Sequence, residues 1–354
     1  MSVLEGTKIV YIFKNTELNN KKSADYETKS LLYLFGMRKD SEKVDIVVID
    51  CFNDVTGVNE SFDLMLDVQS KNYTKFTPSL IGSSLYTLYD NHISDFTFND
   101  YVLFSKPLDA SYLIDSKADC FGYDNIVPKT KTKIEKKLRE VIVKNHGCID
   151  ESMLDSFLRS ITFFGDKKSC SDYIKKVTKF RAKKIISDTT YENIFNEIRD
   201  VQSSLKNSEI ENISISSPSE VLNLNRYLTK DKLNSLIISR LIGVSNIFKE
   251  DSLPTRFFEV IHKEGLSTSF DDMNDVIIDC NSRLSRTFFD KGTSKYFWNL
   301  VEKIIKGIKK FETLDVYHLY SYIEEEVKKI PPHLDKLSIL FLISLIVQGI
   351  NNDI

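Results

Sequence analysis

Asp54, Gln69 and Lys71 have the residue types and spacing of a site that could bind a metal ion and activate water. Gln69 and Lys71 alternate along a stretch with strand character, and strand side chains two positions apart lie on one face. Asp54 follows the preceding predicted strand, so a short hairpin would fold it back beside this pair. Carboxylate and amide oxygens can ligate Mg²⁺, and a nearby cation can assist an attacking water. The pattern predicts a metal-dependent hydrolytic site with Asp54 and Gln69 as metal ligands.

Two further carboxylates could support this site. Asp50 ends the strand that precedes Asp54, and Glu27 lies on the predicted helix before that strand. The amide of Gln69 brings no charge, so the site would hold Mg²⁺ more weakly than a purely acidic site unless Asp50 or Glu27 contributes. We therefore include both as candidate catalytic residues.

Each candidate residue also has an ordinary structural interpretation. Asp54 lies close to Gly57 in a turn-rich segment, and Gln69 with Lys71 could form the solvated face of an edge strand. Glu27 could be an exposed helix residue. The combination, rather than any single residue, favours a catalytic site.

The elements that would position these residues follow the order helix, strand, strand, helix, strand. The predicted ranges are a helix at 25–37, strands at 44–51 and 62–69 joined as a hairpin by a turn at 53–57, a helix at 79–89 and a strand at 101–104. An additional short strand is predicted at 8–13.

The rest of the chain is predicted to be almost wholly helical. Helices are expected at 133–144, 151–158, 171–186 and 191–205, with a possible strand at 160–164. The polar segment 206–220 contains Pro218 and marks a linker, beyond which only helices are expected. We predict an α+β domain over residues 1–210, a small mixed sheet flanked by helices, followed by an all-α domain over 211–354.

The run from Asp50 to Asp54, the Gln69-Ser70-Lys71 triplet, an intervening helix and the strand YVLF together resemble the core of the PD-(D/E)xK, or restriction-endonuclease-like, nuclease superfamily. More narrowly, they are similar to the QxK variant in nuclease effectors of bacterial anti-phage defence, such as the Lamassu effector nucleases and the endonucleases associated with CD-NTase signalling. The resemblance covers residues 24–205. No cyclic-oligonucleotide-sensing domain is recognisable after it, which favours a Lamassu-like effector.

This resemblance implies a role for each matched position. Asp54 would be the metal-binding aspartate, Gln69 would stand where most members have Asp or Glu, and Lys71 would orient and polarise the attacking water. Asp50 would match an acidic position four residues before the aspartate. The implied activity is endonuclease cleavage of double-stranded DNA with little sequence preference, dependent on Mg²⁺ or alternatively on Mn²⁺. The implied regulation is by defence-system partner proteins bound to the helical domain, and by oligomerisation when active.

Two basic stretches could contact a phosphate backbone. One comprises Lys129, Lys131, Lys133, Lys136, Lys137 and Arg139; the other comprises Lys167, Lys168, Lys175, Lys176, Lys179, Arg181, Lys183 and Lys184. The second is the better candidate because Lys175, Lys176, Lys179 and Lys183 would line one side of the helix at 171–186. The alternative is a solvated helix face.

Composition limits the other possibilities. A charged fraction of 28% and a hydrophobic fraction of 42% describe a globular protein, and the net charge of −3 argues against a surface wholly committed to nucleic acid. The five scattered cysteines predict neither disulfides nor zinc, and the N-terminal residues lack a signal-peptide pattern, so we expect a cytoplasmic protein. No phosphate-binding loop, GxSxG or HExxH motif competes.

The most apolar segment, residues 337–347, is shorter than the roughly 20 residues that span a bilayer, so no membrane association is expected. It is predicted to be a helix, either buried within the domain or at an interface with another subunit or a partner protein. Two rival functions remain open for the whole chain: a catalytically inactive nuclease fold that serves as an interaction scaffold, and a ribonuclease.

Overall fold

The computed structural model describes residues 10–13, 21–182, 184–206, 209–244, 247–248, 254–266 and 269–352. It shows a mixed α+β protein in which a seven-stranded mixed sheet is flanked by helices and followed by a helical C-terminal region. The predicted α+β fold class, a mixed sheet flanked by helices with a helical C-terminal region, is confirmed.

The strands form two sheets. They are β1 Tyr11–Ile12, β2 Ile46–Ile49, β3 Val55–Val58, β4 Met65–Lys71, β5 Asp100–Ser105, β6 Cys120–Gly122, β7 Ile161–Gly165, β8 Ser214–Ile215 and β9 Tyr227–Thr229. The large sheet has the order β6-β7-β5-β4-β3-β2-β9, and β1 pairs with β8 separately. Strands β4, β5 and β7 are parallel neighbours, while the other pairs are antiparallel.

Thirteen helices are found among the described residues. They are α1 Lys21–Leu32, α2 Pro78–Ser84, α3 Tyr86–His92, α4 Pro128–His146, α5 Glu151–Ser160, α6 Cys170–Thr178, α7 Asp188–Ser204, α8 Lys230–Leu241, α9 Thr255–Lys263, α10 Phe270–Phe289, α11 Ser294–Phe311, α12 Val316–Glu326 and α13 Lys336–Asn352. A π-helical turn at Tyr33–Met37 continues α1.

Helices cover both faces of the large sheet. Leu103 of β5 belongs to the apolar cluster that includes residues of α2 to α5. Its neighbour Phe104 contacts the ring of Tyr26 on α1, with ring centroids 6.0 Å apart. Successive strand side chains point to opposite faces, so α1 packs on the face opposite to α2–α5.

The predicted hairpin between residues 44–51 and 62–69 is wrong, because a third strand, β3, lies between these two strands and pairs with both. The segment 53–57 resembles a turn in sequence, but Gly57 has another role. A Cβ atom at Gly57 would lie 3.2 Å from Leu34 and 3.3 Å from Val44, so glycine lets these side chains approach a buried strand. Asp54 is therefore the last residue of the loop that joins β2 to β3, and it does not lie in a loop between the two predicted strands.

The expectation of helices alone after the linker is also wrong. Strand β9 pairs with β2 and forms one edge of the large sheet. Strand β8 pairs with β1 inside the predicted linker. Of the predicted strand at 8–13, residues 8 and 9 lie outside the described residues. Because β9 is short and follows a polar segment, local sequence pattern does not distinguish it from a loop.

The chain divides into two compact units, and their division differs from the predicted domain boundary at residue 210. The first unit contains the chain up to Tyr173 together with Phe195–Lys230; the second contains Ile174–Ile194 and the chain from Asp231 onward. The first unit includes the whole large sheet. The second consists of helices in its described part.

Helix α13 lies in the interior of the second unit. Every residue from Ile339 to Val347 is buried, and the helix packs against α9, α10, α11 and α12. Of the two alternatives for this apolar segment, the structure supports burial within the domain. Among the described residues, no helix is long and apolar enough to cross a membrane.

Gly82 permits a close crossing of α2 and α4, and its replacement tests this packing. A Cβ atom at this position would lie 2.4 Å from the backbone oxygen of Ile134. We expect Gly82→Ala to lower the free energy of unfolding by about 1–3 kcal/mol, as overpacking does in other cores. Urea unfolding measures the loss, and Ser83→Ala on the same helix is the matched control. Equal stability of the two variants would show that the crossing relaxes without cost.

Candidate functional site

The structure brings Asp54 and Gln69 together. Val55 of β3 pairs with Val68 of β4, so the residue before Val55 lies opposite the residue after Val68. The Gln69 Nε2 donates a hydrogen bond to Asp54 Oδ2 over 2.8 Å. The same oxygen accepts hydrogen bonds from the backbone N and the Oγ of Ser70, each 2.7 Å away. Three donors therefore fix the Asp54 carboxylate near the carboxyl end of β4.

Lys71 is the last residue of β4 and is half-buried. Because strand side chains alternate, it lies on the same face as Gln69. The structure therefore contains the strand that the predicted proximity of Gln69 and Lys71 requires.

Glu27 lies on α1 and forms an ion pair with Lys206, a residue just after α7. Both side chains are largely buried, with exposed fractions of 12% and 9%. Burial raises the pKa of Glu27, the nearby charge of Asp54 raises it further, and Lys206 opposes both effects. Glu27 is therefore within electrostatic reach of Asp54.

Asp50 lies between β2 and β3 with a left-handed backbone, at a φ of 51°. Its Oδ2 is 3.2 Å from Nη1 of Arg226, which also donates to the Asp50 carbonyl oxygen over 3.0 Å. The Asp50 backbone N donates to the Asp54 carbonyl oxygen over 3.0 Å. This geometry ties Asp50 to Asp54 through the backbone and to Arg226 through the side chain.

Lys206 and Arg226 are site residues that sequence reasoning missed. Burial lowers the pKa of Lys206, but the charges of Glu27, Asp50 and Asp54 outweigh burial and raise it. Nη2 of Arg226 donates to the carbonyl oxygen of Lys206 over 3.0 Å, which links the two cationic residues. The cluster therefore contains three carboxylates and two protein cations that lie beside them.

The amide of Gln69 decides how this site fits a metal ion. Its Oε1 accepts a hydrogen bond from Thr87 Oγ1 over 2.7 Å, so its nitrogen, not its oxygen, is directed at Asp54. A hydroxyl can donate or accept, so a half-turn of the amide would place Oε1 beside Asp54 while Thr87 accepts from the nitrogen. Asp54 and Gln69 can thus supply two oxygen ligands after this rotation.

Acidic residues alone do not form a conventional metal cluster here. In the part of the chain that the structure describes, no group of three or more His, Cys, Asp or Glu residues is arranged to hold a metal ion. A cation at Asp54 and Gln69 would therefore complete its coordination with water or with oxygens of the substrate, as Mg²⁺ commonly does.

Asp67 is a buried acid on the same face of β4 as Gln69, and it organises the segment before Asp54. Its Oδ2 accepts from Nδ2 of Asn53 over 2.5 Å and from Nδ2 of Asn91 over 2.7 Å, and its Oδ1 accepts from Thr56 over 3.1 Å. Burial raises the pKa of Asp67 to about 7. Its alternation with Gln69 and Lys71 along one strand was the sequence feature that could have identified it.

Asp67→Asn should change how stability depends on pH. The folded protein keeps the Asp67 proton up to about pH 7, whereas the unfolded chain releases it near the ordinary pKa of 3.8. The unfolded state then binds fewer protons between these values, so this group makes stability fall as pH rises from about 4 to 7. An asparagine can accept from Asn53 and Asn91 and donate to Thr56, and it has no charge to bury.

We therefore expect Asp67→Asn to be more stable than the wild type at pH 8 and similar at pH 4, measured by urea unfolding. The exposed Asp63→Asn variant is the control and should keep the wild-type profile. Parallel pH profiles for the wild type and Asp67→Asn would contradict the raised pKa.

The predicted helical row of lysines is not formed. Helix α6 ends at Thr178, and Lys179 has a left-handed backbone with a φ of 56°. The carboxylate of Glu302 accepts hydrogen bonds from the backbone N of Arg181 and of Ala182, over 3.0 and 2.8 Å. These bonds hold the segment after α6 in a non-helical conformation, so the expected helix at 171–186 stops early.

The lysines of this row have separate environments. Nζ of Lys175 is 2.5 Å from Asp188 Oδ1 and lies over the ring of Tyr191, at 5.5 Å from its centroid. Lys176 lies on the last turn of α6. Lys183 lies outside the described residues. A continuous DNA-binding face built on one helix is therefore not available here.

The other basic stretch does form one helix, α4. Lys129, Lys133 and Lys136 are exposed on it. Arg139 instead pairs with both carboxylate oxygens of Glu151, at 2.5 and 2.8 Å. Of the two basic stretches, the one on α4 is the more regular, because its exposed lysines lie on one continuous helix.

No protein-family model matches this chain, and neither the curated proteins nor the solved structures that were searched contain a match.

Proposed function

We propose that the protein is a metal-dependent nuclease of the PD-(D/E)xK type. The observation that carries this proposal is the contact between Asp54 and Gln69 at the ends of adjacent strands, with Lys71 two positions further on the same face. The order of an acid before β3, a Gln-x-Lys triplet on β4, the helices α2 and α3, and then β5 agrees with the core that the motifs resemble.

The residues of the site have distinct tasks in this proposal. Asp54 and Gln69 would hold Mg²⁺, which when bound lowers the pKa of water and stabilises charge on a phosphate. Ser70 fixes the Asp54 carboxylate through its backbone N and its hydroxyl. Lys71 would orient and polarise the attacking water, and its ammonium group would stabilise negative charge that develops on the phosphate.

The wider biological role is proposed on the resemblance. The substrate would be double-stranded DNA cut with little sequence preference, in a cytoplasmic anti-phage defence system of bacteria. Partner proteins that bind the helical region, and assembly into an oligomer, would control the activity. The exposed lysines of α4, rather than the predicted row of Lys175, Lys176, Lys179 and Lys183, would contact the phosphate backbone.

Incubation with supercoiled plasmid tests the proposal. Purified protein over a range of concentrations should nick or degrade the plasmid with Mg²⁺ or Mn²⁺, and EDTA should abolish the reaction. Parallel reactions with single-stranded DNA and structured RNA separate a deoxyribonuclease from a ribonuclease. If no polymer is cut at any protein concentration with either metal, even after assembly with its partners, the enzymatic proposal fails.

An interaction scaffold without catalytic activity is the second candidate. The feature that favours it is the pairing of Glu27 with Lys206 and of Asp50 with Arg226, which already balances two of the three carboxylates. Isothermal titration with Mg²⁺ distinguishes the candidates: a scaffold would release no binding heat, whereas the nuclease would bind the ion and lose binding in Asp54→Asn.

A further inference from the structure

The first unit contains a cavity of about 530 Å³ beside the candidate site. Its walls come from β1, from the segment between β2 and β3, from α3 and the residues after it, and from the end of α4. Ligand pockets in proteins commonly have volumes of roughly 300–1,000 Å³, so this cavity can hold a group of nucleotide size.

One side of the cavity is aromatic and is held in place by its own contacts. Tyr11 and Phe52 line it, with ring centroids 5.1 Å apart in an edge-to-face arrangement. The Tyr11 hydroxyl donates to Asn91 Oδ1 over 2.7 Å, and Asn91 Nδ2 donates to the Phe52 carbonyl oxygen over 3.2 Å. These bonds fix the aromatic surface before any ligand arrives.

The rim of the cavity is polar and contains a histidine–aspartate pair. Nε2 of His146 is 2.9 Å from Asp90 Oδ1 and 3.3 Å from the Tyr86 hydroxyl. All three residues line the cavity. A carboxylate at the rim disfavours a phosphate group inside, whereas the N–H groups of a nucleobase can donate to it.

Two lining residues connect the cavity to the candidate site. Thr87 lines the cavity and donates to Gln69 Oε1 over 2.7 Å. Asn53, also a lining residue, directly precedes Asp54. A strand whose phosphate reaches Asp54 would therefore have an adjacent base at the mouth of the cavity.

We propose that the cavity binds one unpaired nucleobase of the nucleic-acid strand that is cut, an inference that rests on the proposed nuclease function. Aromatic side chains stack on bases, and buried polar groups contact base edges only when the base is unpaired. A base inside a duplex must leave the helix before it can enter such a pocket. A double-stranded substrate would therefore have to open locally at the cut strand before one of its bases enters the cavity.

Binding measured in EDTA, where no cleavage occurs, tests whether the cavity binds a nucleobase. Fluorescence anisotropy compares a labelled single-stranded oligodeoxynucleotide, the same backbone with abasic residues throughout, and a blunt duplex of equal length. We expect the strand with bases to bind about 10-fold more tightly than the abasic strand, the order of one stacked base. Equal affinity of the wild type for these two strands, or no binding to either, overturns the inference.

Variants locate the effect in the cavity. Tyr86→Ala and His146→Ala, which change the polar rim, should lower the affinity for the strand with bases and leave the affinity for the abasic strand unchanged. Asn145→Ala, an exposed neighbour on α4 whose side chain bonds only to Val141 among the described residues, should bind like the wild type. Because the first comparison uses the wild type alone, the test stands even if one variant does not fold.

The failure of this inference differs from the failure of the proposed function. Plasmid cleavage without any base-dependent binding would remove the base pocket and leave the nuclease. Base-dependent binding without cleavage under any metal condition, even after assembly with its partners, would retain the pocket and remove the nuclease.

Discussion

Lys71→Ala is expected to reduce metal-dependent plasmid cleavage by at least about 100-fold, the order found when one group that stabilises charge in a transition state is removed. Lys71 ends β4 two positions after Gln69, and its ammonium group would act beside the attacking water in the proposed mechanism. The half-buried stem lies at a strand end, so truncation should leave the fold intact.

The control for this experiment is Lys75→Ala, which removes the same charge from an exposed residue shortly after β4. It should cleave like the wild type. Circular dichroism and urea unfolding should show that both variants are folded. Wild-type cleavage by a folded Lys71→Ala protein would contradict the assignment of this residue.

Lys206→Met is expected to lower the free energy of unfolding by about 3–5 kcal/mol, because removal of one partner leaves an uncompensated buried charge. Glu27 would then face Asp50 and Asp54 with its own counterion absent. Urea unfolding at neutral pH measures the loss. Lys144→Met, an exposed position on α4, is the matched control and should change stability by about 0.5 kcal/mol or less.

Two further measurements separate this effect from simple loss of packing. The double variant Glu27→Gln with Lys206→Met should recover most of the lost stability, because it removes the unpaired charge. Since burial already raises the folded-state pKa of Glu27 above 4.5, loss of Lys206 should raise it further. The stability of Lys206→Met should then fall more steeply than that of the wild type as pH rises above about 4.5.

Mg²⁺ adds a third measurement in the same variant. If the three carboxylates can attract a divalent cation, Mg²⁺ should raise the melting temperature of Lys206→Met more than that of the wild type. An equal shift in both proteins would show that Lys206 does not compete with metal at this cluster.

Sequence patterns were sufficient to predict the elements whose apolar residues recur with a clear helical or strand period. Helix α1, strand β4 with its Gln-Ser-Lys triplet, and strand β5 were expected close to their observed positions. Strand β3 was not, because four residues that include Thr56 and Gly57 resemble a turn when their burial is unknown. The contact of Asp54 with Gln69 was expected, although the hairpin invoked for it was wrong.

The parts of the site that could not be predicted from the sequence depend on contacts between residues that are distant along the chain. Lys206 meets Glu27 across 179 positions, and Arg226 meets Asp50 across 176 positions. No local pattern marks either cation as a partner. The early end of α6 has a similar cause, since it depends on Glu302, more than a hundred positions away.

The same long separations have a consequence for how the chain folds. The carboxylates of the candidate site are made early during synthesis, whereas Lys206, Arg226 and the edge strand β9 emerge only after most of the first unit. Contacts of such large sequence separation require closure of long loops and slow the search for the native state. A nascent chain that stops before residue 206 thus has an open sheet edge at β2 and an acidic cluster that lacks both Lys206 and Arg226. Completion of the sheet and pairing of the acidic cluster with both cations therefore require the chain as far as residue 229.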